Sequence, residues 1–273
     1  MKKARAQQCM VSTSKALNRF GRSRFEPMFS SKNSNTKILS FSPSPTQIEP
    51  TYTPAPNQNL GLTSKRAQAH LIRCLELAGI KDQRVLNAMR QVPRHVFVDQ
   101  GLASRAYEND ALPIGYGQTI SQPWIVARMV ALLLEDHLPQ RVLEIGAGCG
   151  YQTAVLTHLI PQVFALERIA PLYELAQRNL QELGVIEQVR LKFGDGIQGW
   201  PDAAPFDAII VAAAGPQIPK QLLEQLAIGG CLVAPEGDLY QRLVYIRRYG
   251  VSQWQRHELE TVRFVPLKSG TQI

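Results

Sequence analysis

From residue 141 onward, short apolar runs alternate regularly with helix-length segments of mixed character. Residues 142–145 are apolar except for Glu144 and read as a buried parallel strand. Glycines at 146, 148 and 150 follow, and then 151–159 reads as a helix. Residues 163–167 form a second apolar run that ends in an acid. A helix over 171–183 is started by Pro171 and ended by Gly184. The third strand, 189–193, closes on Gly194-Asp195-Gly196, and the fourth, 206–211, delivers Ala212, Ala213 and Ala214. A helix at 219–226 and a fifth strand at 230–234 come next, and 243–247 with 260–265 should close the sheet as an antiparallel pair. This pattern predicts an α/β fold with a mostly parallel seven-stranded sheet, helices on both faces and ligands at the carboxyl ends of the strands.

The chain ahead of the sheet reads differently. Thr63 or Ser64 can cap a helix reaching Ala78, with Leu71, Ile72, Leu75 and Leu77 apolar and Gly79 at its end. A second helix at 82–89 stops ahead of Pro93. A loop over 112–123, polar but studded with Ile, Tyr and Leu, precedes a helix at 124–134. These N-terminal helices are expected to form a lid. Residues 1–58 are rich in Ser, Asn, Thr and Pro, have no sustained apolar period, and should be disordered. The expected organisation is therefore an extension, 1–58, and one domain, 59–273, divided into 59–135 (helices and loop) and 136–273 (the sheet).

Charge supports that division. Nine Lys or Arg face two acids in residues 1–50, while the other 223 residues hold 21 bases and 20 acids. The basic balance belongs to the extension and does not mark the domain as a nucleic-acid binder. The extension's acid-poor, Arg- and Ser-bearing start mimics an organelle transit peptide; an unstructured tail or an early start codon is the favoured reading. No apolar stretch is long enough for a membrane span. Cys9, Cys74, Cys149 and Cys231 lack C-x-x-C spacing, so the default is a reduced, cytoplasmic chain with no structural zinc.

The glycine turn carries the first chemical signal. Tyr151 stands where a dinucleotide fingerprint would place its third glycine. The pattern Glu144-x-Gly146-x-Gly148-x-Gly150 instead resembles motif I of S-adenosylmethionine (AdoMet) methyltransferases, a Rossmann-like class. Glu144 suits a cofactor bearing an ammonium and a sulfonium; Glu167 should accept from both ribose hydroxyls, and Asp195 should face the adenine amino group. Cys149 reads as a small residue in a tight turn, because no histidine is placed to activate it. His70, His95, His137, His158 and His257 show no metal-ligand spacing. The segment after the fourth strand lacks the Asn/Asp-Pro-Pro-Tyr/Phe run used in adenine methylation, and no cysteine follows a proline as pyrimidine C5 chemistry requires.

Over residues 60–270 the chain resembles the protein-L-isoaspartate (D-aspartate) O-methyltransferases. The resemblance rests on Val92-Pro93-Arg94-His95, Ala106-Tyr107, the loop 112–123 and above all Gln118-Thr119-Ile120-Ser121-Gln122-Pro123. The glycine turn, Gly194-Asp195-Gly196, Pro205-Phe206-Asp207 and residues 262–267 extend it. It implies methyl transfer from AdoMet to the free α-carboxyl of L-isoaspartyl and D-aspartyl residues in damaged proteins and peptides, starting repair through a succinimide. It implies Ser121 in the active site and Glu144, Gly146, Gly148, Glu167, Arg168, Asp195 and Gly196 at the cofactor. It further implies substrate contacts from Pro113, Ile114, Gln118, Thr119, Ile120, Val265 and Pro266. No metal, nucleic acid or membrane is implied, and a monomer is expected. Trp124, Cys149 and Glu236 stand where Tyr, Ser and Val are usual, and the last should put a charge near the ligand edge.

Overall fold

A computed structural model of the chain describes residues 64–273. The expected extension, residues 1–58, lies outside them, as does Thr63. α1 (Lys65–Leu77) begins where the Ser64 hydroxyl accepts the amide N–H of Ala67 at 3.4 Å. It turns Leu71, Ile72 and Leu75 inward. α2 (Gln83–Gln91) is capped by Asp82, whose carboxylate takes the Arg84 amide and side chain and is held below the usual carboxylate range by Arg84. Two 3-10 turns, Arg94–Phe97 and Gln100–Arg105, lead on from Pro93.

The expected loop 112–123 contains a hairpin. β1 (Leu112–Gly115) and β2 (Gln118–Ile120) pair antiparallel, with an irregular step between Pro113 and Gly115. Its tip runs through Gly115, Tyr116 and Gly117, all at positive φ. α3 (Pro123–Leu133) follows directly, with proline in its first turn, where no N–H partner is needed.

The sheet is then laid down in order: β3 (Arg141–Ile145), α4 (Tyr151–Thr157), β4 (Gln162–Glu167), α5 (Ala170–Glu182), β5 (Val189–Phe193) and β6 (Phe206–Val211). α6 (Lys220–Glu224), β7 (Leu226–Glu236), β8 (Gln241–Gly250) and β9 (Gln253–Val262) complete it. The strand order is β5-β4-β3-β6-β7-β8-β9, parallel through β7 and antiparallel for the last two. The chain runs outward from β3 to β5, then returns past β3 to lay down β6. The carboxyl ends of β3 and β6 therefore flank a topological switch point, where open α/β sheets bind ligands.

Two expectations need correction. The helix expected over 219–226 is shorter, and β7 already begins at Leu226, irregularly paired with β6 before Ala208. The closing strand is β9, which ends at Val262, rather than 260–265; Tyr245 pairs with His257 and Arg247 with Gln255. β9 is an edge strand whose residues are mostly exposed, so its polar start gives no apolar signal. Beyond Val262 the chain leaves the sheet and crosses its carboxyl edge.

Successive strand residues divide between two cores. Val142, Val163, Ala165 and Ile210 face one core, and Leu143, Phe164, Leu166 and Ile209 the other. The N-terminal helices belong to the first core, through Leu75, Leu86, Met89 and Val130. They are thus bedded in one face of the sheet, which fixes the height at which the hairpin meets the glycine turn.

Candidate active site

At the carboxyl edge, β3 ends in the turn at 146–150, with Gly146, Gly148 and Gly150 at φ of 86°, 58° and 87°. Side chains rarely adopt these angles. The amides of Gly146 and Ala147 both donate to the Leu166 carbonyl, at 2.8 and 3.0 Å, so the turn is anchored to β4. A Cβ on Gly150 would press on the α5 backbone at Ala176, 3.4 Å away, and one on Gly148 would lie 3.3 Å from Ile114 Cδ1. Glycine is therefore what lets the β1–β2 hairpin and α5 close on the turn.

The two strand-end acids are both buried and differently employed. Glu167 accepts the amide of Gly148 through Oε2 at 2.8 Å and that of Ile169 through Oε1 at 2.9 Å. Each oxygen keeps a second lone pair. Glu144 accepts from Gln152 Nε2 at 2.9 Å and Thr153 Oγ1 at 2.6 Å, which ties β3 to α4. Burial pushes the Glu144 carboxyl up to about 7, against these two hydrogen bonds and with help from the Glu167 charge.

A cleft of about 850 Å³, counted out to its open mouth, lies over this edge. From the expected cofactor set it is lined by Glu144, Gly146, Gly148, Glu167, Arg168 and Gly196; from the substrate set by Ile114, Gln118, Thr119, Ile120, Val265 and Pro266. Ser121 lines it as well. Two expected residues do not. Pro113 sits on β1 outside the lining. Asp195, expected to face an adenine, accepts instead from the amides of Ile197 at 2.9 Å and Gly270 at 2.7 Å.

The Gly270 contact belongs to a strap that pattern reading had not found. Ala214 pairs with the chain on both sides of Pro266, through Val265 O at 2.8 Å and Leu267 N at 2.7 Å. Farther along, Arg168 Nε donates to Gly270 O at 2.9 Å, Gln272 N to Arg168 O at 2.8 Å, and Ala170 N to Gln272 O at 2.8 Å. The last residues thus cross from β6 to β4 and β5. Gln152 and Thr153 were also missed; their positions on the helix after an acid-bearing strand were the available signal.

Four other singled-out residues can be placed. Burial pushes the Cys149 thiol up to about 11, so it stays protonated. His95 Nδ1 lies 2.8 Å from the Tyr107 hydroxyl. Trp124 donates its indole N–H to Ala78 O at 3.3 Å. Glu236 ends β7 at the carboxyl edge, near the ligand edge as expected but outside the cleft lining; Arg256 holds it at 2.6 Å, and it accepts the Ile218 amide at 3.2 Å. Among the described residues no helix is long and apolar enough to cross a membrane, and no three His, Cys, Asp or Glu could hold a metal.

A family model described as protein-L-isoaspartate(D-aspartate) O-methyltransferase matches residues 65–272. The chain belongs to this family. Family members similar to it include protein-L-isoaspartate O-methyltransferases of Bordetella parapertussis, 55% identical over 91% of this chain and 95% of the relative, and Bordetella avium, 57% identical over 88% and 90%. A solved protein-L-isoaspartate O-methyltransferase superposes with a TM-score of 0.68 at 27% identity, over 75% of this chain and 67% of the other. A Plasmodium falciparum protein described as a member, in complex with S-adenosyl-L-homocysteine, gives 0.65 at 26% identity over 74% and 98%.

Proposed function

We propose that residues 59–273 transfer a methyl group from AdoMet to the α-carboxylate of L-isoaspartyl and D-aspartyl residues in proteins and peptides, the first step of a repair that continues through a succinimide. One observation carries this reading: Ile114, Thr119 and Ser121 of the hairpin segment line the same cleft as Gly146, Gly148 and Glu167. The residues expected at the methyl donor and at its acceptor thereby share one space.

The cleft fits AdoMet. Gly146 leaves its floor open, since a Cβ there would meet only Ala212, at 3.8 Å. Glu167 has lone pairs to spare for hydroxyls, and Ile169 and Leu172 give an apolar wall. When bound, AdoMet supplies an electrophilic methyl group on a sulfonium. Glu167 would hold it through the ribose, with the glycine turn beneath and Arg168 and Gly196 alongside. Asp195 serves first by holding the strap.

The acceptor carboxylate has a pKa near ~4 and is already ionised at neutral pH. No general base is needed, and Ser121 acts as a hydrogen-bond donor that holds the carboxylate oxygen in line. Gln118, Thr119, Ile120, Val265 and Pro266 shape the mouth and exclude water, so the rate derives mainly from alignment. Buried free thiols at Cys149 and Cys231 suit a reducing compartment such as the cytoplasm.

The test is transfer of labelled methyl from AdoMet to an isoaspartyl peptide, its aspartyl twin and an RNA. Base-stable label on the RNA alone, or equal labelling of the two peptides, would overturn the reading.

A further inference from the structure

Two of the motifs behind the family resemblance, Arg94-His95 and Ala106-Tyr107, line none of the cleft, yet the structure joins them. Arg94 is buried, donating Nε to Ala106 O at 2.9 Å and Nη2 to Asp110 O at 3.3 Å. Its guanidinium lies 4.8 Å over the ring of Tyr151, which lines the cleft. The chain entering the hairpin is thus fixed from below. The chain leaving it is fixed by Asn109. Its side-chain Oδ1 accepts the Trp124 amide at 2.9 Å, and its backbone carbonyl accepts Gln122 Nε2 at 2.8 Å.

Both bonds fall within three residues after Ser121. Gln122, the residue at the N-cap position of α3, makes no capping bond with its side chain, and Pro123 has no N–H. The first free amide of the helix is therefore that of Trp124, and its acceptor comes from fifteen positions earlier in the chain. Without Asn109 Oδ1 that amide loses its acceptor and the joint between Ser121 and α3 loosens. Alignment in a methyl transfer is sensitive at the ångström scale, so a loosened joint should slow turnover without touching the cofactor's own contacts.

We infer that Asn109 is a positioning residue for the methyl transfer, setting Ser121 against the cleft by capping α3 from the far side of the hairpin. The inference rests on the proposed role of Ser121.

The experiment measures kcat and KM for an isoaspartyl peptide, S-adenosylhomocysteine affinity and thermal melting in Asn109→Ala, Asn109→Asp, Ser121→Ala and the Asn109→Ala/Ser121→Ala double variant. Asn109→Ala should lose about ten- to a hundredfold in kcat, with cofactor affinity within about twofold of the parent. Asn109→Asp keeps the acceptor oxygen, at a helix N-terminus that favours negative charge, and should restore most of the rate. In the Ser121→Ala background the Asn109→Ala penalty should shrink to about threefold or less, because the residue it positions is gone. A merely structural role would lower the melting temperature and leave kcat and this coupling unmoved. Unchanged kcat, failure of the aspartate to rescue, or an equal penalty in both backgrounds overturns the inference. If Ser121→Ala itself retains full turnover, the role of Ser121 fails instead. Should Asn109→Ala not fold, Gln122→Ala removes only the Nε2 bond; an about three- to tenfold loss in kcat at constant cofactor affinity supports the inference, and none overturns it.

Discussion

Glu144 and Glu167 end neighbouring strands and are both buried, but their partners separate them. Glu144 bonds side chains of α4 and is pushed up to about 7 by burial. Its unfolded value is the ordinary 4.5, so between those values the folded chain holds a proton that the unfolded chain has released. Stability from this group is therefore present in full below about 4.5 and falls as pH rises to about 7, by a total of ~3 kcal/mol. Glu144→Gln should remove that slope; parallel pH-dependent curves for parent and variant would show that Glu144 ionises normally. Glu167 bonds backbone amides, including the one that shapes the glycine turn. Glu167→Ala should weaken AdoMet binding by about 1–3 kcal/mol and also lower stability by about as much, because two N–H groups lose their acceptor. Calorimetry with unchanged affinity would mean that the carboxylate only braces the turn.

At the scale of elements, the proposed function makes the hairpin the source of the α/β core's specificity. Ser121 stands between β2 and α3, within the cleft lining. Ser121→Ala should lower kcat by about ten- to a thousandfold, the loss of one positioning hydrogen bond at the transition state, with AdoMet affinity almost untouched. Because the acceptor needs no deprotonation, the pH–rate profile near neutrality should keep its shape. Labelled methyl found on the serine in the absence of peptide would instead make it a nucleophile. This element also marks how far the sequence could be read. The buried strands β3, β4 and β6 stood out as apolar runs, and β5 by its alternation ahead of Gly194; β5 and β6 lie where the pattern put them. β1 and β2 are too short to show alternation, and β9 is mostly exposed. The strand-end acids could be found, but not their partners. Whether Asp195 turns to a ligand or to Gly270 depends on a contact between residues 75 positions apart, which no local pattern carries.

Across the whole molecule, the carboxyl edge of the sheet is closed by the strap. Residues 268–272 join Arg168, Ala170 and Asp195, one from the end of β4, one from the start of α5 and one from the end of β5, while Lys268 lines the cleft. A chain ending at Leu267 would keep the Ala214 pairing and both cores, since residues 268–273 contribute no buried side chain. It would lose the Gly270 and Gln272 bonds, leaving Arg168 and Asp195 to be hydrated where they stand, at little cost in stability. Melting should therefore shift by only a few degrees. The cofactor side of the cleft would lose its cover and two positioned side chains, so S-adenosylhomocysteine should bind about three- to thirtyfold more weakly, chiefly through faster dissociation. Stopped-flow release and calorimetry on the shortened chain measure both quantities. Tighter binding would mean that the strap competes with the ligand for Asp195, and Asp195 would then return to the adenine-facing role its place in the sequence suggested.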